Sequence, residues 1–532
     1  MGLVSGQTGV KHTLSKRFPD AYNDFPDVVS ARASVSDDPR RAFALLDGNV
    51  YMRLVPPTAR SFRGFVDFFA AQVDKCFEAA HHVAIVFDEP ENLTKAKAEE
   101  QARRAAAQRK RTPVVSPDVQ AQLLGPTNDA YGQAELDACD PHNFFSEDQR
   151  AGRARFFDTL AVALIKRVSA QEIASRRHRV LVVDGVDARG MDRPHFERRV
   201  NTTISTREDV GSLLRREPSA PLVGEGDLKL TDICSCVCDL RADGVAFLDV
   251  DTFLLLTIDT DSLAIELLNH ALLQRTADAA NEADVVLPKT LLLFREKVGL
   301  QDAQKTVSFR TFDIQKLYEH VQYGMFGADN CDLVEQHHSH AIAMLVAGWA
   351  LCGCDFVSKH IKKADVAWEA VCNTCRAPSA GEELSEFESV FSLTRRSSEG
   401  EVREARARLV RALERLLERA GVDEARIDEE NVKKAAWTTL YWSGLERFDL
   451  SEWGWRGPVT PATLGPITPA DVETPPAIER LLCLGEVGAK RKTTSSANSS
   501  KPTGETGKRS KYFSTPALGR PVPALPLSSD SE

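Results

Sequence analysis

The chain has 532 residues, of which 42% are hydrophobic, and its formal net charge is −10. This length allows two or three domains with sizeable cores, and the composition excludes a chain that is disordered throughout. The eleven cysteines are irregularly spaced, and residues 1–17 lack the apolar core of a signal peptide, which argues against a secreted disulfide framework. The longest uncharged apolar run, at 341–354, is too short to span a bilayer and predicts a buried helix, so we expect a soluble intracellular protein.

Four short apolar runs are each followed closely by an acidic residue. They cover residues 44–46, 83–87, 180–183 and 253–257, and the acids that follow are Asp47, Asp88, Asp184 and Asp259. Such runs are typical of strands buried on both faces. Because helical patterns lie between them, the order of elements predicts an α/β domain with a central, mostly parallel sheet flanked by helices. In such sheets, functional groups collect at the carboxyl ends of the strands.

Other segments have different compositions. Residues 95–111 are helix-prone and rich in Ala, Arg and Lys, so they must project into solvent or lie against something charged. A loop-rich insertion follows, up to about residue 144. An amphipathic helix is predicted at 401–420, with Leu409, Leu413, Leu416 and Leu417 on one face and Gly421 at its C-terminal cap. From about residue 485 the composition is too polar to form a core, which predicts a disordered tail.

Seven acidic residues stand in short, distinctive contexts along the chain. They are Asp47, Asp88, Glu225, Asp227, Asp259, Asp261 and Asp355. Taken alone, each acid is better explained as a helix cap or a loop residue; their order and contexts together are more specific. Carboxylates that are brought together repel one another, so a shared pocket requires hard cations such as Mg²⁺. Two such ions about 4 Å apart can activate a water and stabilise the leaving oxygen of a phosphodiester.

The contexts of these acids resemble those of the flap-endonuclease/XPG family. Residues 86–88 are similar to that family's Val-Phe-Asp-Gly, 224–227 to Glu-Ala-Glu-Ala, 257–261 to Thr-Glu-Asp-Met-Asp and 352–356 to Leu-Gly-Ser-Asp-Tyr. Met1-Gly2-Leu3 is similar to the family's Met-Gly-Ile start. The resemblance covers about residues 1–371, and it implies a PIN-like fold and a structure-specific DNA endonuclease or 5′-exonuclease that acts in replication, repair or recombination.

The resemblance also implies the cofactor, the partners and the site. The seven acids would hold two Mg²⁺ ions, for which Mn²⁺ can substitute. Lys95 would contact the scissile phosphate, Arg103 would be a second catalytic basic residue, and Lys97 and Arg104 would bind DNA, which is expected to be branched or 5′-ended. The family's Gly-Ile-Gly hairpin is absent here, but three lysines in its place would hold duplex DNA through charge: Lys359, Lys362 and Lys363.

Three regions are expected from these patterns. A PIN-like nuclease core spans residues 1–371, with an arch or insertion at about 91–220. A helical C-terminal region follows at 372–484, and a basic, disordered tail at 485–532. Basic runs at 490–492 and 508–509 suit nuclear import or loose contact with nucleic acid, and equally a merely soluble tail. A nuclear location is expected, with a cytoplasmic site such as a viral replication site as the alternative. Tyr512 and Phe513 resemble the aromatic pair of sliding-clamp-binding peptides, without the preceding Gln and aliphatic residue; no membrane partner is expected.

Several alternatives stay open at this stage. Asp249 and Asp251 form another Asp-x-Asp pair, and Asp184 and Asp187 are spare carboxylates. Histidines at 337, 338 and 340 are interpreted as a surface cluster rather than metal ligands. Four cysteines have a spacing that suits zinc, although buried thiols are favoured: Cys352, Cys354, Cys372 and Cys375. The alternative functions are a nucleic-acid-binding PIN-like scaffold with weak or no catalysis and a PIN-like RNase.

Overall fold

The computed structural model describes part of the chain. The described residues are 3, 9–52, 54, 62–87, 164, 180–183, 226–242, 250–279, 287–295, 309–327, 331–354, 356–393 and 398–443. The chain divides into two units, Met1–Gly488 and Ala489–Glu532, and every described residue belongs to the first. The predicted insertion is described only at 164 and 180–183, and the predicted tail at 485–532 lies outside the described residues.

Seven strands of the described chain form one mixed sheet. They are β1 Tyr22–Phe25, β2 Ala42–Asp47, β3 His82–Val86, β4 Val180–Val183, β5 Thr252–Thr257, β6 Lys289–Arg295 and β7 Phe309–Asp313. Their order is β1-β7-β6-β5-β2-β3-β4. The five strands from β6 to β4 are parallel, whereas β7 is antiparallel to both β6 and β1. The prediction of an α/β chain with a mostly parallel sheet is therefore confirmed.

Helices cover the sheet and make up the later part of the described chain. The earlier ones are α1 Val10–Arg17, α2 Val28–Ala33, α3 Gly48–Met52, α4 Phe62–Ala79, α5 Gly226–Ala242 and α6 Asp261–Ala279. The later ones are α7 Ile314–Phe326, α8 Cys331–Leu351, α9 Ala364–Cys375, α10 Ala380–Ser385, α11 Ser389–Ser392, α12 Glu399–Arg419 and α13 Glu429–Trp442. Among these residues, no helix is both long enough and apolar enough to cross a membrane.

Both faces of the central strands are buried, as the apolar runs predict. In β2, Phe43 and Leu45 belong to one core, together with the later helices, while Ala44 and Leu46 belong to a second core with α2 and α4. Side chains alternate between the faces of a strand, so one continuous apolar run supplies both cores. The four predicted runs correspond to β2, β3, β4 and β5.

The later helices pack around α8, whose residues 341–351 are all buried. The amphipathic pattern is confirmed in α12: its four predicted leucines are buried, and Gly421 beyond its end has a φ of 69°, a left-handed conformation that favours glycine. Helix α9 runs across residue 371, the expected boundary between core and helical region. The two regions are therefore continuous at that point, and one hydrophobic core includes residues of both.

The strand order reverses direction between β2 and β5. From β2 the chain adds β3 and β4 on one side, and from β5 it adds β6 and β7 on the other. Parallel sheets bind ligands at the carboxyl ends of the strands, where the strand order reverses in this way. A functional site is therefore expected at the carboxyl ends of β2 and β5, beside the start of α5.

Candidate metal centre

Four of the seven predicted carboxylates converge at the carboxyl edge of the sheet. Asp47 is the last residue of β2, Asp227 lies in the first turn of α5, and Asp259 and Asp261 follow β5. Burial raises the pKa of Asp227 well above its ordinary value, and the negative charges of Asp47, Asp259 and, more weakly, Asp261 raise it further. Charges perturb one another in this way only at close range, so these acids from three separate segments share one pocket.

Hydroxyl groups hold the carboxylates in place. Ser262 donates its Oγ hydrogen to Asp227 Oδ1 at 2.7 Å, which partly offsets the rise in the pKa of that carboxyl. Thr257 Oγ1 accepts from the backbone N–H of Asp259 at 3.0 Å, and it lies 3.4 Å from Ser262 Oγ. The end of β5 and the start of α6 are thus fixed relative to α5. The sequence gives no sign of this role, because serine and threonine are common at strand ends and helix starts.

The first described residue of the chain also contacts the acidic cluster. The backbone N–H of Leu3 donates to Asp261 Oδ1, and the Leu3 carbonyl accepts from Thr260 Oγ1 at 2.5 Å. Leu3 is only 1% exposed, and 258 residues separate it from Asp261 along the chain. The two hydrogen bonds tie Leu3 to the turn that carries Asp261.

Replacing Thr260 by Val is expected to lower both stability and activity. Valine keeps the shape of the side chain but leaves the buried Leu3 carbonyl without its donor, which costs about 1–3 kcal/mol. The matched control is Thr439→Val, because Thr439 is also buried but donates to Ala435 O within α13, far along the chain from the cluster. Urea denaturation of both variants measures the effect. Equal losses of stability in the two would contradict a specific role for Thr260.

Seven other predicted site residues lie outside the described residues. They are Asp88, Glu225, Asp355, Lys95, Lys97, Arg103 and Arg104. In the sequence, Asp88 directly follows Phe87 at the end of β3, and Glu225 directly precedes α5. Their assignment as metal or DNA ligands therefore stays a prediction.

The alternative acid pair is only partly described, and the described member lies elsewhere. Asp251 precedes β5, at the opposite end of the strand from Asp259. Its carboxylate pairs with Arg41 at 3.1 Å and accepts from Thr252 Oγ1 at 2.9 Å. Asp251 therefore stabilises the amino edge of the sheet, and the choice of Asp259 and Asp261 fits the geometry. Asp249, Asp184 and Asp187 lie outside the described residues.

Within the described ranges, no three His, Cys, Asp or Glu side chains have an arrangement that could hold a metal ion. The four converging acids lie near one another but do not by themselves form a complete set of metal ligands. The other three predicted ligands are not among the described residues. The cysteines considered for zinc are free thiols, and all but Cys354 are buried. Burial raises the pKa of Cys352 to about 12 and that of Cys372 to about 11, which disfavours the thiolate that zinc requires.

The prediction of a surface histidine cluster is wrong for His340, which is buried, whereas His337 and His338 are partly exposed. His340 is 5% exposed and lies in the middle of α8, where its Nε2 is 2.5 Å from Glu388 Oε2. Arg275 from α6 donates to the other oxygen of Glu388 at 2.5 Å. This network joins α6, α8 and the start of α11. The pattern of three close histidines does not reveal it, because its charged partners come from distant parts of the chain.

The predicted duplex-binding lysines lie on a loop that the last helix holds. Lys359, Lys362 and Lys363 are exposed, on the segment between α8 and α9. Buried Asn431 of α13 accepts from the backbone N–H of Ser358 at 2.8 Å and donates to the Ser358 carbonyl at 2.7 Å. The loop therefore takes its shape from its contacts with α13.

Replacing Asn431 by Ala is expected to loosen this loop. The change removes both hydrogen bonds to Ser358, at a cost of about 1–2 kcal/mol, because water can reach the exposed loop and partly replace them. Hydrogen exchange at residues 356–363 should speed up, and affinity for duplex DNA at low salt should fall. Asn373→Ala is the control, since Asn373 is an exposed asparagine on α9. Unchanged exchange in the Asn431 variant would contradict this role.

Comparison of the chain with protein-family models and with curated proteins finds no match. Function is therefore inferred from the acidic cluster and from the residues around it.

Proposed function

We propose that the chain is a metal-dependent nuclease with a PIN-like core, of the flap-endonuclease/XPG type, that hydrolyses phosphodiester bonds in DNA. One observation carries this proposal. Four acids from distant parts of the chain meet at one edge of the sheet: Asp47, Asp227, Asp259 and Asp261. The negative charges of the other three raise the pKa of Asp227. Such a cluster is unfavourable unless cations neutralise it, and oxygen ligands of this kind suit Mg²⁺ or Mn²⁺.

The proposed site residues form two groups, one that holds metal ions and one that contacts the scissile phosphate. The four converging acids, with Asp88, Glu225 and Asp355, hold two divalent ions directly or through water. When bound, the ions supply an activated water and stabilise the leaving oxygen. Lys95, with Arg103, neutralises charge on the scissile phosphate.

The proposed substrate is branched or 5′-ended DNA. Lys97 and Arg104, on the basic segment at 95–111, contact a single-stranded end, and the loop lysines Lys359, Lys362 and Lys363 contact the duplex. Contacts of lysine and arginine with phosphate are insensitive to base sequence, so recognition depends on DNA shape. Nuclear localisation, and a sliding-clamp contact through Tyr512 and Phe513, stay predictions from the sequence.

A non-catalytic scaffold is the less favourable explanation of the cluster. Burying like charges beside one another destabilises a fold, and a scaffold gains nothing that offsets this cost. Two-metal hydrolysis itself does not discriminate between DNA and RNA, so an RNase remains an outcome of the test.

The test is cleavage of an end-labelled 5′-flap DNA by the full chain, in Mg²⁺, in Mn²⁺ and in EDTA. Metal-dependent cleavage is expected, and Asp261→Asn should bind the flap without cutting it. Asp251→Asn is the matched control, because Asp251 lies at the opposite edge of the sheet, and it should cut normally. Undiminished cleavage by Asp261→Asn would refute the assignment. Cleavage of the equivalent RNA, with DNA left intact, would favour the RNase.

A further inference from the structure

A lysine is buried beside the acidic cluster. Lys229 of α5 is 1% exposed and is one of the largest fully buried side chains of the described chain. Its Nζ donates to the carbonyl oxygen of Phe87 at 2.8 Å, across 142 residues of sequence. Helix α5 packs against both β2 and β3 at this edge of the sheet. A lysine is rarely buried, because removing an ammonium from water is costly unless the surroundings compensate it.

The place of this ammonium relative to the acids follows from the strand pairing. Val86 at the end of β3 is paired with Asp47 at the end of β2, and neighbouring strands are about 4.8 Å apart. Phe87 is the next residue, so its carbonyl, and the ammonium that binds it, lie about one residue beyond the level of Asp47, on the neighbouring strand. The chain continues from Phe87 directly to Asp88.

Lys229 and Asp227 point away from each other, although only one residue separates them. Residues two apart on a helix do not face the same side. Asp227 turns towards α6, where Ser262 donates to it, and Lys229 turns towards β3, where it donates to Phe87. The first turns of α5 thus present an acid to one side of the site and a cation to the other.

We propose that Lys229 is a positioning residue that brings a positive charge to the β2–β3 side of the acidic cluster and fixes the backbone of Phe87, the residue before Asp88. This inference rests on the proposed function, because it assumes that the acids are metal ligands. Two divalent cations offset only part of the charge of seven carboxylates. A resident ammonium stabilises the edge when no cation is bound, and the acids are held in place before the ions arrive.

This role makes a specific prediction about metal-linked stability. Lys229→Gln removes the charge but keeps a hydrogen-bond donor, so the metal-free protein should be destabilised, with an unfolding temperature lower by roughly 5 °C. Added cations should restore most of the difference, because they supply the missing positive charge to the same edge. Lys229→Arg keeps the charge and should behave like the wild type.

The experiment is thermal unfolding of the full chain in EDTA and across a titration with Mg²⁺ or Mn²⁺. Its variants are Lys229→Gln, Lys229→Arg and the matched control Lys289→Gln. Lys289 also donates to a backbone carbonyl, that of Val35 at 3.3 Å, but it begins β6 at the opposite edge of the sheet. The expected result is a larger metal-induced rise in unfolding temperature for Lys229→Gln than for the wild type, with no such difference for Lys289→Gln.

Two results would overturn this proposal. One is a deficit of Lys229→Gln that is the same with and without metal, as lost packing alone would give. The other is a Lys229→Arg variant as unstable in EDTA as Lys229→Gln. If the wild type shows no metal-induced shift and no cleavage, the nuclease proposal fails, and the comparison of Gln with Arg in EDTA still decides whether the charge of Lys229 stabilises this edge.

Discussion

Replacing Asp227 by Asn is expected to abolish cleavage while making the metal-free protein more stable. The amide has nearly the same shape as the carboxylate and can still accept from Ser262. It cannot serve as a charged ligand, so cleavage should fall by on the order of 100-fold or more. Single-turnover cleavage of the flap substrate measures this loss.

The gain in stability has a separate cause. In the wild type, burial and the charges of Asp47 and Asp259 raise the pKa of Asp227, so the ionised form of this carboxyl is electrostatically unfavourable. Asparagine removes that charge, and the free energy of unfolding in EDTA should rise by about 1 kcal/mol. Asp313→Asn is the control: Asp313 is also buried but caps α7 through Lys316 N, so neither activity nor metal dependence should change. A less stable Asp227→Asn protein in EDTA would contradict the electrostatic picture.

Replacing Gly48 by Ala is expected to lower stability and cleavage, because it disturbs the end of β3 beside Asp47. A Cβ at this position would stand 2.7 Å from the Val86 carbonyl oxygen and would overlap the Phe87 ring. The carbonyl belongs to β3, which cannot retreat without weakening its pairing with β2. Overpacking of this kind costs about 1–3 kcal/mol, and the strain falls on Asp47, the residue before Gly48.

Urea denaturation and flap cleavage together test this second expectation. Gly400→Ala is a suitable control, because Gly400 in α12 has only Ser398 Oγ within contact distance of an added Cβ, at 3.9 Å. There the change should be neutral or stabilising, by up to about 1 kcal/mol, since alanine is the better helix former. A Gly48→Ala protein with wild-type stability and cleavage would show that the end of β3 yields more easily than its pairing suggests.

Much of the fold could be predicted from the sequence because buried parallel strands have a clear pattern. The runs that become β2, β3, β4 and β5 are continuous and apolar, as strands covered on both faces must be. By contrast, β1 has the sequence Tyr-Asn-Asp-Phe, with no fully buried residue, because it lies at the edge of the sheet. Nothing in that stretch distinguishes it from a loop until its antiparallel partner β7 is known.

The acids of the candidate site could also be predicted from the pattern of buried strands, whereas the residues that hold these acids in place could not. An acid after a buried strand must lie at the carboxyl edge, so Asp47 and Asp259 follow from the strands themselves. Leu3 contributes backbone atoms, and Ser262 contributes a hydroxyl, and neither residue type indicates such a role. Lys229 was missed because lysine is normally exposed, and only the burial of α5 against the sheet reveals its contact with Phe87.

The pairing of β2 with β5 also determines when the acidic cluster can form during synthesis. These neighbouring parallel strands are about 200 residues apart in sequence, and closing so long a loop is entropically unfavourable and slow. A ribosome must therefore synthesise about half of the chain, through the turn that carries Asp261, before the four acids can meet. Chains that end before this turn, or that misfold, would lack the assembled acidic cluster and any property that depends on it.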